Sequence, residues 1–401
     1  MTMFLGDREM DGQIQRTLAA AYSGSCDLGE ALATAARITP GDYDGWHREW
    51  AATAGRCDAL GDECLRAGHR VTAAKAFLRA VEYYRQAIFF IRHDLDDPRL
   101  LAGWRAHRAA FRKALPLLPL DAEIAGIPFG GAEMTAYLLR PAGGRIPRPT
   151  VLAPCGFDST AEAGYASTAH MALARGYNVL LWEGPGQGGM LYQHRVPMRP
   201  NFEHVLAPVI DWASAQDGVD PGRLALIGRS FAGYLAPRAA AFEPRIAALV
   251  CDPGQVEFVS RFVPGMVPEN DWNRILASDP AADAALEGLL ADPRGREYYG
   301  ARMATFGAAT LGDFLRMQPA YTVEPFASRI SCPTLVTEGE GDFASQSRWL
   351  FDLLTCAKEL RTFPAAEGAG GHCCGLGATI WEGAVFDWLD NVLALQQPDR
   401  C

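Results

Sequence analysis

A chain of 401 residues, 49% of them apolar, is long enough for a large core and more than one domain. Its formal net charge of −10 disfavours nucleic acid or an anionic membrane as a partner, because both would repel it. No stretch approaches the uninterrupted apolar run of about 18 residues that a membrane span needs, and the opening "MTMFLGDREMDGQ" has neither the basic start nor the long apolar run of a secretory signal.

The ten cysteines are scattered, with no CxxC pair and no repeated ligand spacing. They read as reduced thiols in a cytoplasmic protein rather than as a disulfide or zinc framework. The eight histidines include no HExxH pattern, so no catalytic metal is expected.

Residues 1–125 read as a helical domain. "DYDGWHREWAATAGRCDALGDECLRAG" predicts a helix after a turn around Gly45. "VTAAKAFLRAVEYYRQAIFFIRHD" places Phe77, Val81, Tyr84, Ile88 and Ile91 three or four positions apart, which makes one apolar stripe. Phe89 and Phe90 widen it. "DPRLLAGWRAHRAAFRKALPLL" repeats the spacing with Leu101, Trp104, His107 and Phe111.

The pattern changes near residue 123. "EIAGIPFGGAEMTAYLLRPAGG" predicts a hairpin turning at Gly130-Gly131. "RPTVLAPCGF", "YNVLLWEGPGQGG", "GRLALIGRS" and "RIAALVCDPG" each read as a buried strand, with helices in "TAEAGYASTAHMALARG" and "FEHVLAPVIDWASAQ" between them. Strands alternating with helices imply an α/β fold with a mostly parallel sheet covered on both faces. Residues 126–252 are thus the first part of that core. Residues 253–329 interrupt the rhythm with helical segments and read as a cap over the carboxyl ends of the strands. The alternation resumes over 330–401 with "SCPTLVTEGEGD", "ASQSRWLFDLLT", "KELRTFPA" and "IWEGAVFDWLDNVLALQ".

"ALIGRSFAGY" sets Ser230 among small residues directly after a strand. A nucleophilic serine on a tight strand-to-helix turn needs such neighbours, and Gly228 and Gly233 supply them, with Ala232 where glycine is more usual. A helix-capping serine with no chemistry is the bland alternative. The downstream order decides between them: Asp342 follows a strand in "CPTLVTEGEGD", and His372 sits in the glycine-rich "GAGGHCCG". Ser, Asp and His in that chain order can act as nucleophile, orienting acid and proton carrier. Glu338 and Glu340 compete for the acid's place, but Asp342 lies on the loop beyond the strand, where it can turn toward the histidine. The backbone N–H groups of Phe157 and Phe231 are the expected oxyanion donors. "WEGPGQGG" lacks both GxGxxG and a P-loop ending, so it reads as a turn and no nucleotide cofactor is expected.

These residues, with "AAKAFLRAVEYYRQAIFF", "GFDSTAEAGY", "EGPGQGG", "GRSFAGYLAPRAA" and "GHCC", resemble the α/β-hydrolases. They resemble especially the 2,6-dihydropseudooxynicotine hydrolase group and the related polyketide chain-shortening and fermentation-respiration-switch hydrolases. The likeness spans most of the chain. It departs from the family pattern at Ala232 and at "GGHCC", where an acidic residue commonly precedes the histidine. The resemblance implies the α/β-hydrolase fold and the triad Ser230, Asp342 and His372. It also implies a homodimer, with the site between the helical domain and the core, and a bulky aromatic or polyketide-like substrate cleaved at a carbonyl, in some members at a carbon–carbon bond. Trp46, Tyr83, Tyr84, Phe89, Phe90, Phe258 and Phe262 are candidates for the pocket wall, though aromatics at helical spacing more often fill a core. Esterase or thioesterase action, acyl transfer or cyclisation, and an inactive homologue remain as alternatives.

Overall fold

The structure is a computed structural model and describes residues 4–260, 263, 267 and 271–393. Five helices come first: α1 (Arg8–Ala19), α2 (Leu28–Ala35), α3 (Tyr43–Arg66), α4 (Arg70–Ala87) and α5 (Pro98–Ala114). Asp7, Asp27, Asp42 and Asp97 start four of them by accepting hydrogen bonds from first-turn amides. Each such cap satisfies donors that the helix itself cannot and contributes about 1 kcal/mol.

Two details differ from the sequence reading. The turn before α3 closes at Thr39–Asp42, where the Asp42 amide donates to the Thr39 carbonyl, and Gly45 lies inside the helix. There glycine makes room for the cap, since a Cβ on it would stand 2.2 Å from Asp42 Oδ2. The apolar stripe of α4 does run on to Ile91, but the α-helix stops at Ala87 and Phe89–Ile91 form a tighter 3₁₀ turn. Within that turn the rings of Phe89 and Phe90 meet edge-to-face at 4.9 Å. Phe90 stacks on Tyr43 and packs edge-on to Trp46, buried in the helical region, while Phe89 stays half-buried under Arg92.

Eight strands follow: β1 (Leu120–Phe129), β2 (Ala132–Pro141), β3 (Arg148–Pro154), β4 (Asn178–Trp182), β5 (Val219–Arg229), β6 (Ile246–Asp252), β7 (Thr334–Gly339) and β8 (Lys358–Phe363). They form one sheet in the order β1-β2-β4-β3-β5-β6-β7-β8. β1 and β2 pair as the expected hairpin, Phe129 opposite Ala132, with Gly130 at φ +58° and Gly131 at φ +83°. Positive φ at both central positions is what a two-residue turn of the favoured twist demands. β2 also pairs antiparallel with β4, and every pair from β4 onward is parallel. β4 is buried at all five residues and β3 at six of seven, as strands covered on both faces must be.

The segment between β6 and β7 carries helices Trp272–Leu276, Pro280–Glu287, Pro293–Phe306 and Leu311–Met317. Phe306, at the end of the third, packs on Phe157 and Phe231 at ring separations of 6.2 and 5.9 Å, so this helix ends over the loops that follow β3 and β5. Its other end is tied to α1 by Arg294–Asp7 at 2.8 Å. Among the described residues no helix is long and apolar enough to cross a membrane.

Candidate active site

Ser230 follows β5 directly and holds φ +58°. A non-glycine residue in that region is strained by about 1–2 kcal/mol, and the neighbourhood fixes it there. The Ser230 amide donates to the Asp252 carbonyl at 2.7 Å. A Cβ on Gly228 would lie 2.0 Å from the Ala232 carbonyl oxygen, and one on Gly233 would lie 1.9 Å from that of Pro253. Both glycines therefore let backbone pass at contact distance. Ala232 stands as the first residue of the helix Ala232–Ala240, where no positive φ is needed, so its departure from the usual glycine is tolerated.

Loops after β7 and β8 bring the other two residues to this turn. Ser230 Oγ and His372 Nε2 are 2.8 Å apart, and His372 Nδ1 is 2.9 Å from Asp342 Oδ1. The Asp342 side chain is fully buried and accepts two further hydrogen bonds, from the Ala344 amide at 2.8 Å and the Cys373 amide at 3.1 Å. Glu338 instead bonds Ser345 and Thr362, and Glu340 accepts from the Ala365 amide. Neither reaches His372. With its Nδ1–H directed at Asp342, the imidazole presents Nε2 to the serine as an acceptor.

The surroundings of His372 raise its affinity for a proton. Burial opposes the imidazolium, but the Cys373 side chain when ionised and the Asp342 carboxylate outweigh it, and the net direction is upward. Cys373 is a close neighbour: its Sγ lies 3.6 Å from His372 Nε2 and bonds the Asp252 carbonyl at 3.5 Å.

Arg229, immediately before Ser230, links these loops. It donates to Asp252 Oδ2 at 2.9 Å, to the Cys373 carbonyl at 2.8 Å and to the Ser167 carbonyl at 2.7 Å, with its guanidinium 4.1 Å from the Trp381 ring centre. Asp252 is fully buried and also accepts from Thr337. Removing one partner of a buried pair leaves an uncompensated charge, a loss of about 3–5 kcal/mol. Arg229→Met is therefore expected to lower unfolding free energy by about that much, read from the urea midpoint.

The oxyanion side is built by the loop after β3. Gly156 passes so close that a Cβ on it would stand 3.4 Å from Ser230 Cβ and 3.8 Å from the Phe231 nitrogen. The amides of Phe157 and Phe231 donate to no protein acceptor among the described residues. Gln187, from "EGPGQGG", holds this loop: its side-chain amide donates to the Cys155 carbonyl at 2.6 Å and the Gly156 carbonyl at 3.2 Å, while its Oε1 accepts from the Gly184 amide at 2.8 Å. The sequence reading missed this role. Its one signal was a lone amide side chain between glycines after a buried strand. Gln187→Leu would leave these buried groups unpaired at about 1–3 kcal/mol each. A fall in kcat of about 10- to 100-fold is expected, with KM little changed, in steady-state assays.

The candidate pocket aromatics separate into three groups. Trp46, Tyr83, Tyr84 and Phe90 pack within the helical region. Trp46 is fully buried and donates to the Gln86 carbonyl, Tyr83 bonds Glu30 and the Asp27 backbone, and Tyr84 lies by Gly55 within reach of the Asp58 and Lys113 charges. Core aromatics and pocket aromatics share the same helical spacing, so periodicity does not separate them. Phe258 stacks on Phe231 at 4.9 Å, and Phe89 meets Arg92, which also reaches Phe157. Phe262 lies outside the described residues.

The strand order, the serine on its strained turn after β5, and the aspartate and histidine from the loops after β7 and β8 define an enzyme of the α/β-hydrolase type. The chain belongs to the X-Pro dipeptidyl-peptidase (S15) family of these enzymes, which it matches over residues 130–362. It is 32% identical over 413 residues to "Hydrolase acrC" of Aspergillus aculeatus, covering 95% of this chain and 96% of that one. It is also 32% identical over 412 residues to 20-hydroxy-prefusarin hydrolase of Gibberella moniliformis, with the same coverage. Its fold is similar to that of 2,6-dihydroxy-pseudo-oxynicotine hydrolase, with a TM-score of 0.73 at 22% identity over 94% of this chain and 95% of the other.

Proposed function

We propose that the protein is a serine hydrolase that cleaves an acyl bond in a bulky aromatic or polyketide-like small molecule. The observation that carries this reading is the continuous hydrogen-bond line from Ser230 Oγ through His372 to the buried Asp342. Ser230 Oγ attacks the substrate carbonyl carbon while its proton passes to His372 Nε2. Asp342 holds the tautomer that makes this transfer possible and stabilises the imidazolium. The carbonyl oxygen becomes an oxyanion facing the amides of Phe157 and Phe231, which are fixed before the charge develops and are worth several kcal/mol there. Collapse expels the leaving group, which takes the proton from His372. Water then gives a proton to His372 and attacks the acyl-serine, and the acid leaves as Ser230 recovers its proton.

The aromatic substrate rests on the rings of Phe157, Phe231, Phe258 and Phe306, which pack together beside the nucleophile. The full-length relatives named as hydrolases, one of 20-hydroxy-prefusarin, support a large oxygenated substrate. The test is mass-resolved product formation from matched aryl ketones, aryl esters and thioesters. An arene and a carboxylic acid from a ketone identify carbon–carbon cleavage, with the departing carbon protonated by His372. Products from esters or thioesters alone identify an esterase or thioesterase. No serine-dependent product from any of the three overturns the proposal.

A further inference from the structure

Arg92 is 7% exposed, yet among the described residues its guanidinium has no carboxylate partner and only one hydrogen bond, from Nε to the Phe89 carbonyl at 2.8 Å. Arg16 holds Asp158, on which the Arg92 charge also acts, Arg85 holds Glu82, and Arg302 donates to the Tyr298 carbonyl. Burying an unpaired charge is expensive unless something supplies the counter-charge. Arg92 lies 4.2 Å over the Phe89 ring and 5.9 Å from the centre of Phe157, the residue whose amide faces the oxyanion.

A second unpartnered group stands on the helix Pro293–Phe306. Glu297 is 4% exposed and makes no hydrogen bond among the described residues. Burial pushes its carboxyl up to about 7, against the pull of Arg92. Glu9 Oε2 and Gln13 Oε1 on α1 are buried without partners as well. The charges of Arg92, Glu9, Arg302 and Asp158 all act on Glu297. Glu9 Oε2 and Gln13 Oε1 are fully shielded and unbonded, and such buried polar atoms call for an explanation. The Phe157 ring lies 6.1 Å from that of Phe231, next to Ser230 in sequence, and its centre is 5.9 Å from Arg92.

We propose that Arg92 is a specificity-determining residue that receives a carboxylate at the non-reacting end of the acyl substrate, with Glu297 beside it as a second polar contact. The inference rests on Ser230 being the nucleophile. A guanidinium offers paired N–H groups in the plane that a carboxylate needs, so the two meet as parallel hydrogen bonds. The substrate would then extend from Ser230 past the Phe157 ring, with its apolar middle on the aromatics and its anionic end at Arg92.

The test uses a homologous series of alkyl fluorophosphonates, each made with a methyl or a carboxylate terminus, and measures the rate at which each modifies Ser230 in the intact protein. The expected result is a chain length at which the carboxylate form reacts about 10- to 100-fold faster, a ratio set by a charge-assisted pair. That ratio should collapse toward one in Arg92→Gln and be partly restored in Arg92→Lys. Equal rates across the wild-type series, or a preference that survives Arg92→Gln in a protein with a wild-type melting curve, overturns the inference. The wild-type series decides alone if Arg92→Gln does not fold. Failure of every probe to modify Ser230 overturns the nucleophile reading instead, so the two failures are told apart.

Discussion

Ser230→Ala is expected to lower kcat by about a millionfold on the best substrate, leaving only the background set by binding and the oxyanion amides. It should also abolish the phosphonate adduct seen by intact mass. The size follows from the loss of the covalent step: with no Oγ there is no acyl-enzyme, and His372 has no proton to take. The fold should hardly notice. Alanine inherits the φ of +58° and its strain, but the turn is fixed by the Ser230 amide on Asp252 and by Gly228 and Gly233, none of which involves the hydroxyl. A melting curve close to wild type therefore makes the kinetic loss a statement about chemistry. Full turnover by the variant would mean that another group is the nucleophile. Cys373, whose Sγ is 3.6 Å from His372 Nε2, would be the next to replace.

How much of this was legible in the sequence varies with the range of the interaction concerned. The hairpin at Gly130-Gly131 and the buried β3 and β4 are short-range consequences of residue type, and they read directly. Ser230, Asp342 and His372 could be singled out as candidates because chain order and strand-end position constrain where a side chain arrives, and the structure sets them within hydrogen-bond reach of one another, even across 142 residues from Ser230 to His372. Contacts that depend on packing angle were not visible. Nothing in "AIFFIRHD" says that the α-helix stops at Ala87 and tightens over Phe89–Ile91, or that Phe90 is the more buried of the two phenylalanines. Gln187 was hidden for a similar reason, since its partners are carbonyls 31 and 32 residues away. Nothing in the sequence distinguishes Arg92, and only its burial without a carboxylate at salt-bridge distance marks it out.

Asp342→Asn should cost about 10⁴ in kcat with the geometry intact. The amide that replaces the carboxylate can still accept from the Ala344 or Cys373 backbone N–H, so the loop has a reason to stay in place. Its NH₂, however, turned toward His372 Nδ1, favours the tautomer with the proton on Nε2, and that nitrogen then cannot accept from Ser230 Oγ. The pH dependence has a definite sign. Asp342 raises the affinity of His372 for a proton, so its removal lowers it and moves the acidic limb of kcat/KM to lower pH. The same linkage acts on stability. A histidine whose proton is held more tightly in the folded state contributes fully below its unfolded value of about 6.5, and that contribution fades as pH rises through the folded value. Wild type should therefore exceed Asp342→Asn in stability most at about pH 5–6, with the margin shrinking in alkaline solution. Cys373→Ala, measured beside it, separates the two influences: it removes the neighbour that, with Asp342, raises the proton affinity of His372, yet leaves the Asp342 contact and so the tautomer intact. An acidic limb that stays in place in Asp342→Asn would assign the orienting role to another group.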